Sequence, residues 1–158
     1  MSTPSYETDR LGEQVAETAR SLGVSVGAAE SLTSGAVAVA LGKAPDAGEW
    51  FVGSVVAYEA SVKFDVLGVD AGPVITARAA EQMARGALRV LGADYAVAVT
   101  GAGGPGPEEG RPAGTVFVAV ATHDGVEVGE HRFAGDPTQV VAATVHEALA
   151  ALLRRLAG

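Results

Sequence analysis

Residues 24–41, VSVGAAESLTSGAVAVAL, constrain the fold more than any other stretch of this chain. Two apolar runs stand almost back to back, separated only by a polar cluster of Glu30, Ser31, Thr33 and Ser34. The first run, VSVGAA, reads as a strand. The second is ambiguous by pattern alone, but the hydroxyls in front of it and Gly42 behind it fit a helix beginning near Thr33. Just upstream, Leu11, Val15, Ala19 and Leu22 recur at helical spacing and Gly23 offers a stop. A strand flanked so closely by helices, in a chain that is 48% hydrophobic, needs cover on both faces, which points to a layered α/β protein.

The remaining segments continue the alternation. WFVGSVVAYE reads as a second strand, and ASVKFDVLGV as a short helix or turn ending near Gly68. TARAAEQMARGALRVLG carries Ala80, Met83, Ala87, Leu88 and Leu91 on one helical face, with Thr76 as N-cap. DYAVAVT and GTVFVAVAT are β-rich, and HDG followed by VEVGEHRF marks a hairpin that makes the sheet mixed. A last helix runs from Asp136 or Pro137 to about Leu156, with Val140, Val141, Thr144, Val145, Ala148, Leu152 and Leu156 toward the core. The expectation is one domain over residues 1–158, a mixed β-sheet flanked by helices, with residues 1–8 as a flexible N-terminus.

Charge narrows the function classes. A formal net charge of -8, no long basic run and eight aromatic residues argue against a nucleic-acid surface. Charges or glycines interrupt every apolar run before membrane-spanning length, and the N-terminus lacks the features of a signal peptide. We therefore expect no nucleic acid, no membrane and a cytoplasmic setting. The absence of cysteine excludes disulfides and thiolate metal sites.

Two stretches invite chemistry. In TGAGGPGPEEGRPAG, Gly101, Gly103 and Gly106 formally match a dinucleotide-binding glycine pattern. That pattern must open a helix, whereas here Pro105, Pro107 and Pro112 lead into another strand. A surface connection and a substrate-facing loop using backbone amides both remain open for it. In ESLTSG, the same hydroxyls suit simple helix capping or an anion site at a helix start.

A serine nucleophile needs a neighbouring base. His123, His131 and His146 all fall outside the predicted strand ends beside the glycine-rich turns. Lysine becomes a base when burial lowers its pKa, while arginine stays charged. The chain has nine arginines but only Lys43 and Lys63 as lysines. AYEASVK can bring Tyr58 and Lys63 to the same sheet edge as Ser31, or simply hold a partly buried tyrosine and a solvated lysine.

Three segments together resemble one family. AAESLTSG is similar to A-E-S-C-T-G-G, GSVVAYEASVK to G-G-V-V-A-Y-S-x-x-x-K, and AVAVTGAGGPGPEEGRPAGTV to A-x-A-V-T-G-I-A-G-P followed by K-P-V-G-T-V. These are motifs of the CinA C-terminal domain family, and the resemblance runs from about residue 11 to 156. Stand-alone members of that family include enzymes that deamidate nicotinamide mononucleotide, and this chain resembles the stand-alone form.

The resemblance implies Ser31 as nucleophile, Lys63 as general base and Tyr58 as a proton-relaying or orienting partner. It implies a pyridine-nucleotide substrate held by Glu30, Thr33, Ser34, Gly35, Thr100, Gly101, Gly103, Gly104 and Arg111. Backbone N–H groups near Thr33 to Gly35 would hold the oxyanion. No metal and no cofactor are implied, and a homodimer is.

The chain departs from the pattern at several positions. Leu32 replaces Cys, Ser34 and Ser54 replace glycines, and Glu59 replaces Ser. GAGGP stands for GIAGP, and Arg111 for Lys. Ser34 would be strained wherever the glycine it replaces needs positive φ. The alternatives to a nucleotide deamidase are a non-catalytic nucleotide- or protein-binding member of the family, and an amidase for another small amide.

Overall fold

A computed structural model describes residues 3–158. It contains five strands, β1 Val26–Glu30, β2 Phe51–Val56, β3 Tyr95–Gly101, β4 Thr115–Thr122 and β5 Gly125–Arg132. Five helices accompany them, α1 Thr3–Leu22, α2 Ala36–Gly42, α3 Ala60–Leu67, α4 Ala77–Leu91 and α5 Pro137–Ala157, with a 3-10 turn at Ala47–Glu49.

The sheet order is β2-β1-β3-β4-β5. β1 runs parallel to both β2 and β3, while β3–β4 and β4–β5 are antiparallel. The sheet is therefore mixed and covered on both faces. Alternation along each strand splits the core in two. Val26, Ala28, Val97, Val99, Val116, Val118 and Val120 face α1, α2 and α5. Ala29, Ala96, Ala98, Phe117, Ala119 and Ala121 face α3 and α4.

Small residues let these layers approach closely. A Cβ on Gly86 of α4 would stand 2.1 Å from the Leu67 carbonyl oxygen, so only glycine allows α4 to cross the end of α3 at this distance.

Helix ends follow local chemistry where the sequence offers it. Thr76 caps α4 by accepting from the Ala79 N–H. Asp136 and Gln139 form a reciprocal capping box at α5, and Gly23, Gly68 and Gly92 end helices at positive φ;. The stretch expected as a flexible N-terminus is helical from Thr3 onward. α1 begins there because it packs along α5, with the Thr8 hydroxyl 3.2 Å from His146 Nδ1; Met1 and Ser2 lie outside the described residues. The predicted second strand also ends early, at Val56, leaving Tyr58 beyond it and Glu59 at the N-cap of α3.

Candidate active site

The chain leaves β1 toward β2 on one side, and β3 lies on the other. In open α/β sheets, ligands bind outside the carboxyl ends of strands at such a reversal of order. Ser31 is the first residue after β1 at that point, level with Ala57 beyond β2 and Thr100 on β3. Glu30 is the last residue of β1 and faces α2, and Ser31 follows it in a bend at the carboxyl edge of the sheet, the same edge from which β2 leads into α3, the helix of Lys63. Ser31 is 8% exposed, and its hydroxyl has no hydrogen-bond partner among the described residues.

Lys63 is 2% exposed, although it is a lysine. Its Nζ donates to the carbonyls of Ala57, at 2.8 Å, and Tyr58, at 3.1 Å. Burial pushes its pKa below the usual lysine value, against the carboxylates of Glu109, Glu59 and Glu108, which pull it upward;. A neutral amine has two N–H donors and one lone pair. The two carbonyls are compatible with both forms: an ammonium keeps one donor to spare, and an amine that has lost its proton keeps both bonds and has a lone pair to act as a base;.

The link from Ser31 to Lys63 passes through the main chain. The Glu30 carbonyl accepts from the Ala57 N–H at 2.7 Å, and the Ala57 carbonyl accepts from Lys63. Tyr58 meets Lys63 through its carbonyl rather than its phenol. Tyr58 is 69% exposed, and its phenol forms no hydrogen bond to Ser31 or Lys63.

Several expected substrate contacts are spent inside the protein. The Glu30 side chain is 0% exposed. Its Oε1 accepts from the Thr33 hydroxyl and from Gly35 and Val37 N–H, and its Oε2 from Ala38 N–H and the Ser54 hydroxyl. Glu30 is therefore the cap of α2 and not a substrate contact. Thr33, buried against it, supports that cap. This also corrects the expectation that Thr33 and Ser34 cap α2 themselves: the cap position is Gly35, with φ 105 and no side-chain bond.

The oxyanion donors shift for the same reason. Gly35 N–H is committed to Glu30, and Ser34 N–H to the Ser31 carbonyl. The N–H groups of Leu32, Thr33, Gly103 and Gly104 have no partner among the described residues. Ser34 itself is exposed at φ 52, the positive value that its glycine counterpart would adopt freely.

In the glycine-rich loop, Thr100 is buried and donates to the Val74 carbonyl at 2.8 Å, so its hydroxyl is not free for ribose or phosphate. Gly101 is buried as well, and a Cβ there would meet the Thr115 carbonyl at 2.6 Å. Gly103 approaches Leu32 and Gly104 approaches Ala113, which brings the loop over the Ser31 turn. The Arg111 guanidinium lies 5.3 Å from the centre of the Phe117 ring, a cation–π distance.

Glu109, which the sequence reading passed over, binds the N–H groups of Val74 and Ile75. Nothing in a local pattern signals that pairing across 34 positions. Its position beside a glycine at positive φ, Gly110, marks only the turn. Of the three histidines, none contacts Ser31 or Lys63: His123 is in the exposed β4–β5 turn, His131 stacks on Phe133, and His146 is on α5. Among the described residues no cluster of His, Asp and Glu has the arrangement to hold a metal ion, and no helix is long and apolar enough to cross a membrane.

Fold and site define a class: a single layered α/β domain whose candidate chemistry, a serine with a buried lysine, sits at the carboxyl edge where strand order reverses. The family model for the CinA C-terminal domain matches residues 8–156, and the chain belongs to that family. A competence-damaged protein (CinA) superfamily protein of Klebsiella pneumoniae superposes with a TM-score of 0.91 at 36% identity, over 95% of this chain and 98% of that one. A competence/damage inducible protein of Agrobacterium tumefaciens superposes with a TM-score of 0.90 at 32% identity, over 96% of each chain. A CinA-like protein of Frankia casuarinae is 38% identical over 135 residues, which are 82% of this chain and 31% of that protein. The chain thus spans about a third of the length of the curated relatives that it matches.

Proposed function

We propose that this protein is an amidohydrolase that converts nicotinamide mononucleotide to nicotinic acid mononucleotide and ammonia. The observation that carries the reading is Lys63: an almost fully buried amine, depressed in pKa and held by two carbonyls, one of them that of Ala57, whose N–H binds the carbonyl of Glu30 just before the unpartnered Ser31 hydroxyl. Structural lysines are rarely buried without a carboxylate partner. The family resemblance supplies the substrate.

In this scheme neutral Lys63 takes the Ser31 proton as Oγ attacks the carboxamide carbon. The oxyanion is received by N–H groups still free at the turn, those of Leu32 and Thr33 on one side and of Gly103 and Gly104 on the other. Lys63 returns the proton to the leaving nitrogen, and ammonia departs from the acyl-enzyme. Water then attacks the ester carbon, its proton passing through Lys63 to Ser31 Oγ, and the carboxylate product leaves. Arg111, on the same connection as Gly103 and Gly104, offers a cation for the nucleotide phosphate. A homodimer belongs to the same proposal, with light scattering as its test.

The decisive experiment incubates the purified chain with nicotinamide mononucleotide and measures ammonia and nicotinic acid mononucleotide, beside Ser31→Ala and Lys63→Ala. Product from wild type and none above background from either variant is expected. Undiminished product from both variants overturns the mechanism. Nucleotide binding without product favours a non-catalytic member, and product from other amides only favours a different substrate.

A further inference from the structure

We propose that Glu30 is the positioning residue of this site: its buried carboxylate draws the start of α2 and the edge strand β2 onto the end of β1, setting Ser31 relative to Lys63. The inference rests on the reading of Ser31 and Lys63 as nucleophile and base, and adds what holds them in place.

The carboxylate is an acceptor-only group, and every neighbour it has is a donor. Three are main-chain N–H groups at the first turn of α2, from Gly35, Val37 and Ala38. Two are hydroxyls, from Thr33 in the turn and Ser54 on β2. Such charge-assisted bonds are the short, strong kind, and here they span 2.7–3.1 Å. The turn they enclose begins with Ser31. Its backbone therefore has both ends anchored to one side chain, residue 30 before it and residues 33, 35, 37 and 38 after it.

The same residue reaches the base. Its main-chain carbonyl holds Ala57 N–H, and Ala57 holds Lys63. Its side chain holds Ser54, three residues before Ala57 and within β2. β2 is an edge strand with a neighbour on one side only, so these two attachments fix its carboxyl end more than sheet pairing alone can. A glycine at position 54 supplies no hydroxyl. Ser54 is thus an addition to the lock that this chain makes for itself, and it acts only through Glu30.

The arrangement also directs where substrate charge can go. The first turn of a helix ordinarily offers free N–H groups to an anion. In α2 they are filled by an internal carboxylate, so an incoming phosphate has no place there.

Three variants test this, Glu30→Gln, Ser54→Ala and the double variant. The readouts are kcat and KM for nicotinamide mononucleotide, the pH profile, and the rate at which a fluorophosphonate probe modifies Ser31, followed by intact mass. Glutamine turns an N–H₂ group toward donors. The expected result for Glu30→Gln is a fall in kcat and in labelling rate of about a hundredfold, the scale of a small misplacement of reacting groups. KM stays within about threefold and the pH midpoint set by Lys63 is unmoved.

Ser54→Ala loses about threefold in both rates and nothing further in the Glu30→Gln background, because coupled residues are non-additive. A folded Glu30→Gln with wild-type kcat and labelling overturns the proposal, as do independent, multiplicative effects of the two substitutions. If Glu30→Gln fails to fold, Ser54→Ala decides alone: wild-type labelling of Ser31 overturns the proposal, and a fall with unchanged KM supports it. Labelling of the wild type without turnover defeats the nucleotide reading and leaves the labelling rates to decide on Glu30. Neither labelling nor turnover in the wild type overturns both.

Discussion

Replacing Lys63 with methionine separates a catalytic lysine from a structural one. Methionine fills a similar volume with a flexible apolar chain and removes the amine assigned to take the proton from Ser31. General-base contributions run at about 10²–10⁴ in rate, which corresponds to about 3–5 kcal/mol of barrier at about 1.4 kcal/mol per decade. Stability responds to two opposing effects. The variant leaves two carbonyls, those of Ala57 and Tyr58, without their donor, at about 1–3 kcal/mol each. Against that, it removes the cost of burying an amine that is protonated in the unfolded chain.

The pH dependence gives the sign. Because burial lowers the folded pKa of Lys63 below the ordinary value of 10.5, the unfolded chain binds more protons between the folded and unfolded values. This lysine therefore makes stability rise with pH across that window, and its penalty is present in full below the folded pKa. Lys63→Met should lose the rise, in urea titrations repeated across alkaline pH. In wild type, kcat/KM should climb with pH to a plateau as Lys63 loses its proton. A methionine variant that keeps more than a tenth of wild-type kcat/KM, or the same alkaline limb, would refute a base role for Lys63.

Three further outcomes follow from individual contacts. Glu109→Gln removes the carboxylate that most strongly raises Lys63, so the rise of kcat/KM should begin at lower pH; an unmoved or upward-shifted midpoint contradicts that coupling. Ser34→Gly relieves a non-glycine residue at φ 52 and should stabilise the fold by about 1 kcal/mol in urea unfolding, since left-handed backbone costs about 1–2 kcal/mol for a residue with Cβ. Gly86→Ala should lower stability by about 2–3 kcal/mol, even though alanine gains about 1 kcal/mol in helix propensity. The new methyl must displace the Leu67 carbonyl that stands 2.1 Å from its position;.

Local pattern carried most of the architecture. Thr76 before an apolar helical face, Asp136 before Pro137, and glycines at helix ends act within a few residues of themselves, so their roles are legible in one dimension. The alternation of strand and helix likewise implied two covered faces. For the site, residue chemistry left helix capping and a solvated lysine open beside catalysis, and it was the resemblance of three motifs to one family that singled out Ser31 and Lys63.

What the linear chain left open was decided by neighbours far apart in sequence. Glu30, Thr33 and Ser34 looked interchangeable as caps or ligands. Only folding brings Ser54, 24 positions away, onto the Glu30 carboxylate and buries it completely, which makes Glu30 the cap and leaves Ser34 outside. Thr100 is withdrawn from the site by Val74, and Glu109 is drawn toward it, through pairings 26 and 34 residues apart. The sequence by itself determined which elements form and which side chains can do chemistry, since these depend on side-chain type and short-range spacing. Strand order and burial decided the rest. They set which hydroxyl is left without a partner and which amine is desolvated so that its pKa falls, because desolvation and hydrogen-bond pairing exist only once the layers close.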